Sequence, residues 1–298
     1  MTQNKCCRHG ASLRRRRRRR RNILRSIIFS CSIIAVAVFV AVGSSMIRSG
    51  DGRTNRYDVE AGNNTYDNAV IENSKISENN NIQNEQSMLD DIMNSTQYPK
   101  QLQELALKNE EALEFVYDYP TEHVKEHTID LTEEASMDSV PLFVQWDKRW
   151  GYEKYSGNFF AASGCGPTTL SMVVVYLTHN RDASPIAVAK YSKEAGYSVD
   201  GSGSSWTLIS EGCRHYGVKA KTVALDESRM KAELDAGHPI VINVGPGDFT
   251  DTGHFMVITG YDDEGFSIND PNSIEKSGKR WLFRNISSQI RAVWSMYV

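Results

Sequence analysis

Cysteine is scarce in this chain, and its placement leaves little for a disulfide framework. Five cysteines occur among 298 residues, and Cys6, Cys7 and Cys31 precede or lie within an N-terminal apolar run. Only Cys165 and Cys213 remain for a folded body, too few to staple one, and they are expected to be unpaired. Basic charge is also missing from most of the chain. Residues 1–48 hold 12 of the 34 Lys and Arg residues and no acidic one, so the remaining 22 face 37 acidic residues, a net of −15. An acidic body lacks the clustered basic face that nucleic acid requires. No zinc-ligand pattern is present, and the acidic loops at Asp248, Asp251 and 262–264 lack the regular spacing of a calcium loop. No cofactor is implied.

What the chain does have begins at its N-terminus. Arg14–Arg21 is an unbroken arginine run, and the apolar stretch IIFSCSIIAVAVFVAV follows, widening to residues 23–47 if Arg25 snorkels. A span of roughly 20 apolar residues crosses a bilayer core, and the arginines are retained on the cytoplasmic side. A single-pass anchor is therefore expected, with residues 1–22 cytoplasmic and the C-terminal body extracellular. A cleaved signal peptide and a nucleic-acid-binding arginine arm are the alternatives, but VGSSMIRSG makes a poor cleavage site and an adjacent apolar span does not suit such an arm.

Residues 48–97 are rich in Asn, Ser, Asp and Glu, a composition that buries too little apolar surface to offset chain entropy, and they are expected to form a flexible linker. Residues 98–135 contain Leu102, Leu105, Leu107, Ala112, Leu113 and Val116 at helical spacing, bracketed by Pro99 and Pro120. One or two short helices packed on the following domain are expected there.

From 136 to 298 the character changes to that of a folded α+β domain. In GNFFAASGCGPTTLSMVVVYLT, Gly164 and Gly166 flank Cys165, and Pro167 falls in the first turn of a buried helix, where a missing N–H is tolerated. A thiol at a helix N-terminus has its pKa lowered by the helix dipole and by any neighbouring imidazolium. Backbone N–H groups at the same end suit a developing oxyanion. The flanking glycines are expected to leave the sulfur open to substrate.

The second informative string is GHFMVITGYDDEGFSINDPN. It predicts a strand from His254, a turn at DDEG and a returning strand ending at Asp270. In a regular hairpin with a four-residue loop, Asp270 falls opposite Val257, on the wrong face for His254. An odd loop or a bulge at Gly265 is therefore expected. Cysteine at a helix start, histidine opening a strand and a carboxylate closing its partner make a nucleophile, a general base and an orienting group.

The motifs GCGPTTLSM, GHFMVITGYD and NDP resemble those of cysteine peptidase family 39, the papain-like group that includes the double-glycine leader peptidases of bacteriocin exporters. The likeness is to its free-standing relatives, which lack the transporter, and spans roughly Val140 to Val298. It implies a papain-like α+β domain, with the nucleophile's helix packed on an antiparallel sheet, and a Cys165–His254–Asp270 triad. It also implies a glutamine at the oxyanion hole. Gln145 is the candidate, although it lies twenty residues before Cys165 rather than one or two helical turns; an inserted hairpin over 151–160 bridges that distance. Gly164 replaces the acidic residue common in leader peptidases.

Gly164, Gly166, Trp206 and Gly253 are the candidate substrate-binding positions. Trp146, Trp150, Tyr152 and Tyr155 either line the groove or pack beneath it, and His215 and His238 read as surface or structural residues. Ser204 or Ser205 is expected to cap an amphipathic helix ending at Gly217. The expected function is hydrolysis of peptide bonds in a peptide or protein substrate. A cell-wall peptide amidohydrolase, a catalytically silent papain-like binding module and a transporter accessory domain are the alternatives.

Overall fold

Alternation of apolar residues along Ile240–Val244 and His254–Ile258 does not separate a buried face from a wet one, because all ten residues are buried. Such strands need a layer on each side, and a computed structural model, which describes residues 81–298, shows both layers. The expected cytoplasmic segment (1–22), membrane span (23–47) and most of the linker lie outside the described residues. Among the described residues, no helix is long and apolar enough to cross a membrane.

The chain enters through a helix over 81–94 (α1), followed by α2 (Lys100–Lys108), a 3₁₀ turn at Glu110–Ala112 and α3 (Leu113–Tyr117). Here the structure departs from the linker expected over 48–97. Met88, Leu89 and Ile92 share one face of α1, and Ile92 is fully buried with Leu102, Leu105, Val116 and Phe159. Three apolar residues in a polar stretch suffice because a surface formed elsewhere covers them. Pro120 does not end the helical region either. It occupies the first turn of a further short helix, Tyr119–Glu122, where its absent N–H has no intrahelical partner to lose.

A small hairpin, β1 (Lys154–Tyr155) and β2 (Asn158–Phe159), precedes α4 (Cys165–Thr178) and α5 (Pro185–Glu194). A second hairpin follows, β3 (Ser198–Val199) with β4 (Gly203–Ser204). The expected amphipathic helix to Gly217 is divided into α6 (Thr207–Ser210) and a 3₁₀ stretch, Gly212–Tyr216, closed by Gly217 at φ 77°. At its start, the Thr207 N–H donates to Ser205 Oγ. Ser204 is engaged elsewhere, its hydroxyl bonding that of Tyr155.

The remaining chain supplies β5 (Lys219–Thr222), α7 (Glu227–Asp235), β6 (Ile240–Val244), β7 (His254–Asp262), β8 (Gly265–Asn269), β9 (Arg280–Trp281) and β10 (Ile290–Tyr297). Six of these strands form an antiparallel sheet in the order β5-β10-β6-β7-β8-β9. Val241, Phe255, Val257, Trp294 and Met296 pack against Leu170, Met172, Val173 and Val174 of α4. Ile240, Ile242, Met256, Ile258 and Ile268 pack on the opposite side with Met230 of α7 and Ile286. The result is an α+β domain whose buried central helix begins at Cys165.

Candidate active site

Cys165 is the first residue of α4, and Gly166 and Pro167 complete an N-terminal turn whose N–H groups are not used within the helix. The two flanking glycines are also required by packing. Both are buried. A Cβ on Gly164 would lie 2.6 Å from the Phe160 ring, and one on Gly166 would lie 2.6 Å from Ser204 Oγ. They make room for the protein's own side chains.

His254 opens β7, beside the end of β6, and its carbonyl accepts from Asn243 Nδ2 at 3.2 Å. The β7–β8 hairpin turns tightly through Asp263 and Glu264, pairing Asp262 with Gly265. The irregularity demanded by parity is present, but the register shifts between Ile258 and Gly260, so that Thr259 is the extra residue. Below the bulge Val257 faces Asn269, which returns Asp270 to the parity of His254. Gly265 has a separate task at φ 136°, where a Cβ would meet the Trp281 backbone at 2.6 Å.

Asp270 follows β8 directly and is 0% exposed; His254 is 6% exposed. His254 Nε2 lies 2.6 Å from Asp270 Oδ1, which also accepts the Asn272 N–H at 2.8 Å. With Nε2 engaged, Nδ1 is the ring nitrogen left free, and His254 acts on the Cys165 thiol as its nearby basic group. Burial alone pushes the Cys165 thiol up. The hydrogen bond and charge of His254, with the N–H groups of Phe255 and Gly166, outweigh it and hold the thiol below its ordinary value. Burial likewise pulls the His254 imidazolium down, but the charge and hydrogen bond of Asp270, joined by Cys165, raise it to about 10. The arrangement favours a thiolate–imidazolium pair. Cys213 is the opposite case: it is unpaired, as expected, and buried in the core, with its thiol pushed up to about 11 by burial.

Gln145 is brought to the same region despite its distance in sequence. Its N–H donates to Pro271 O at 2.7 Å, and its Nε2 donates to Ala161 O at 2.8 Å, four residues ahead of Cys165. The β1–β2 hairpin takes up the intervening chain, as the spacing required. One Nε2–H is thus committed to backbone, and Oε1 is buried without a partner.

Gly253 is exposed just before His254, and Trp206 is 47% exposed with its ring edge-on to Trp294 at 5.9 Å. Trp150 and Tyr155 are buried, Tyr152 stacks on Phe115 at 4.2 Å, and Trp146 joins the cluster around Leu102. Trp150 and Tyr155 thus belong to the main core, and Trp146 and Tyr152 to the core around Leu102. His215 stacks on Tyr191, and His238 pairs with Glu233. Among the described residues, no group of three His, Cys, Asp or Glu side chains is placed to hold a metal.

Sequence reasoning passed over Asn243, Asn272 and Ser277. Asn243 carried a signal, being the one polar residue in the wholly buried strand IVINV. Asn272 and Ser277 act through backbone contacts in the Asp270 loop and carry none.

The model of the Peptidase_C39 like family matches residues 137–298. No curated protein matches the chain. Among solved structures, the peptidase domain of Streptococcus ComA, a bi-functional ABC transporter involved in a quorum-sensing pathway, is 18% identical, with a TM-score of 0.39 and coverage of 53% of this chain and 96% of that one. A putative C39-like peptidase from Bacillus anthracis is 17% identical, with a TM-score of 0.34 and coverage of 53% and 95%. The family match spans more than half of the sequence and contains the cysteine, the histidine and the aspartate just described, and on it the chain belongs to the Peptidase_C39 like family.

Proposed function

We propose that the protein is a cysteine peptidase that cleaves peptide bonds through Cys165, His254 and Asp270. The observation that carries the reading is the 2.6 Å contact between His254 Nε2 and Asp270 Oδ1, which leaves Nδ1 of that ring free to serve the Cys165 thiol. His254 takes the thiol proton, and the Cys165 thiolate adds to the scissile carbonyl. The imidazolium then protonates the departing amine as the C–N bond breaks, leaving an acyl-enzyme at Cys165. His254 next takes a proton from water, whose oxygen attacks the thioester and returns the thiol. Asp270 keeps the ring oriented with Nδ1 toward sulfur. The free N–H of Gln145 Nε2 and the N–H groups at the start of α4 are the oxyanion donors. Gly253 and Trp206 border the substrate path.

On this reading the domain works outside the cell, tethered by the apolar run 23–47, as the arginine run before it suggests. An electrophile such as iodoacetamide tests the chemistry at neutral pH. Wild type is expected to be labelled at Cys165 and not at Cys213, His254→Ala to react at Cys165 slower by orders of magnitude, and Cys165→Ala to lose the labelled active-site peptide. Equal labelling of Cys165 and Cys213 would contradict the reading.

A further inference from the structure

We infer that the helical arm ahead of the family segment completes the active site: Glu111 and Asn109 are positioning residues for Asp270. The inference rests on the peptidase reading above and concerns how that site is held.

Asp270 opens the loop segment Asp270–Gly278, a turn that leads into a short helix over Ile274–Ser277, and no ladder bond of the sheet fixes its side chain. The loop is held instead by side chains that form a continuous chain of contacts. Asp270 N–H donates to Ser277 Oγ at 2.8 Å, and Ser277 Oγ donates to Ser273 O at 2.7 Å. Ser273 Oγ accepts the Lys276 N–H and donates to Glu111 Oε1. Glu111 Oε2 accepts the N–H groups of Ile274 at 2.7 Å and Glu275 at 3.1 Å. One carboxylate therefore takes three donors from this loop, and charged acceptors make the stronger hydrogen bonds.

The other side of the loop is held by Asn109, the residue that ends α2, together with Trp146 Nε1, which donates to Asn272 O at 3.3 Å, and the Gln145 N–H on Pro271 O. Asn109 Nδ2 reaches Asn272 O at 3.0 Å and Asn272 Oδ1 at 3.2 Å, while its own Oδ1 accepts the Glu111 N–H. Asn272 in turn donates its N–H to Asp270 Oδ1, the atom bonded to His254. The Asn109 and Glu111 contacts come from residues more than 160 positions away in sequence, outside the matched segment 137–298. The arm is docked by its own core around Leu102, Leu105 and Val116, so it meets the loop as a preformed surface. A displacement of order 1 Å at a catalytic group is enough to cost about 10²-fold in rate.

Glu111→Gln is close to isosteric, but it turns one acceptor into an NH₂ facing the loop's N–H donors. The charged groups facing the His254 ring are Asp270 from the loop and Cys165 from α4, so a loosened Asp270 has a specific readout. The rate of Cys165 alkylation by iodoacetamide, followed against pH in the full-length protein, is expected to fall about tenfold at neutral pH in Glu111→Gln. Its alkaline limb is expected to move to lower pH. Asn109→Ala acts in the same direction. A role confined to stability would lower the melting temperature and leave the pH profile in place; that result overturns the inference. Should Glu111→Gln not fold, Ser277→Ala breaks the same chain at Asp270 and is judged by the same curve. If wild-type Cys165 reacts no faster than Cys213, the peptidase reading itself fails, and the inference with it.

Discussion

His254 Nε2 and Asp270 Oδ1 approach to 2.6 Å with both side chains buried. The contact depends on one extra residue, Thr259, in the strand that His254 begins. Without that bulge, period-two alternation sends the two side chains to opposite faces of the hairpin. With it, the carboxylate that steadies the ring is also anchored by Asn272, so the orientation of the imidazole is fixed before any substrate arrives.

The reactive ion pair has a defined pH window. Cys165 is held below its ordinary value, and His254 is raised to about 10. The thiolate–imidazolium form therefore fills in as pH rises through the lowered thiol value and is lost as pH rises through about 10. Asp270→Asn keeps the hydrogen bond and removes the charge that raises the imidazolium. Its alkaline limb should move to lower pH, with a loss of order tenfold at neutral pH. The stability linkage has the same sign for His254: a raised value stabilises the fold fully below 6.5, and that contribution disappears as pH approaches about 10. Alkylation rate and melting temperature, each followed from pH 5 to 11, check both statements; an unmoved alkaline limb in Asp270→Asn would refute the first.

Gly166 is fixed by packing, and that claim can be separated from a role in ligand access. A Cβ there would lie 2.6 Å from Ser204 Oγ and 2.7 Å from Ser204 Cβ. Gly166→Ala should destabilise by roughly 1–3 kcal/mol, the range of an overpacked core. Adding Ser204→Gly removes the colliding atoms and should restore much of the loss in urea unfolding. A double variant no more stable than Gly166→Ala alone would rule out the packing account.

Much of this site was legible because its chemistry is written in short strings. GCGP places a thiol at a helix start, and GHF with INDP places a histidine and a carboxylate at the ends of paired strands. The need for an irregular register was also legible, since parity alone demands it. Its position was not: Gly265 looked like the bulge residue, whereas Thr259 has no local signature and Gly265 serves the turn against Trp281. The reach of Gln145 depended on how the β1–β2 hairpin folds back, and composition does not show this. Glu111 and Asn109 were invisible for a related reason, as their partners lie in a loop far along the chain. Polar composition hid α1, because the burial of Ile92 is decided by the surface it meets.

Gly265 has two constraints at once. Its φ of 136° is a conformation L side chains rarely adopt, and its missing Cβ leaves room for the Trp281 backbone. Gly265→Ala should cost on the order of 2 kcal/mol or more. Because β9 pairs with β8 beside this turn, hydrogen exchange should show faster opening at Phe266 and Trp281, with less change at Val241. A variant as stable as wild type would mean that the turn relaxes into another conformation.

The docking of α1 carries a prediction about where the folded unit begins. Ile92 is completely buried with Leu102, Leu105 and Val116, and Gln103 Nε2 bonds the Ile92 and Ser95 carbonyls. Removing three carbons from such a site leaves a cavity that the surrounding helices fill only partly. Ile92→Ala should therefore cost about 2–4 kcal/mol. A residue in a solvated linker costs nothing on truncation to alanine, so the two descriptions of this segment differ by the whole effect. Asp90 is exposed on the same helix, and Asp90→Ala serves as the control, with a change within about 0.5 kcal/mol. Because α2 and α3 share the core with Ile92 and lead to Glu111, the destabilised variant should also expose the Asp270–Gly278 loop to exchange before the central strands open. Equal stability of Ile92→Ala and Asp90→Ala in urea would return residues 81–94 to the linker and move the boundary of the folded unit to α2.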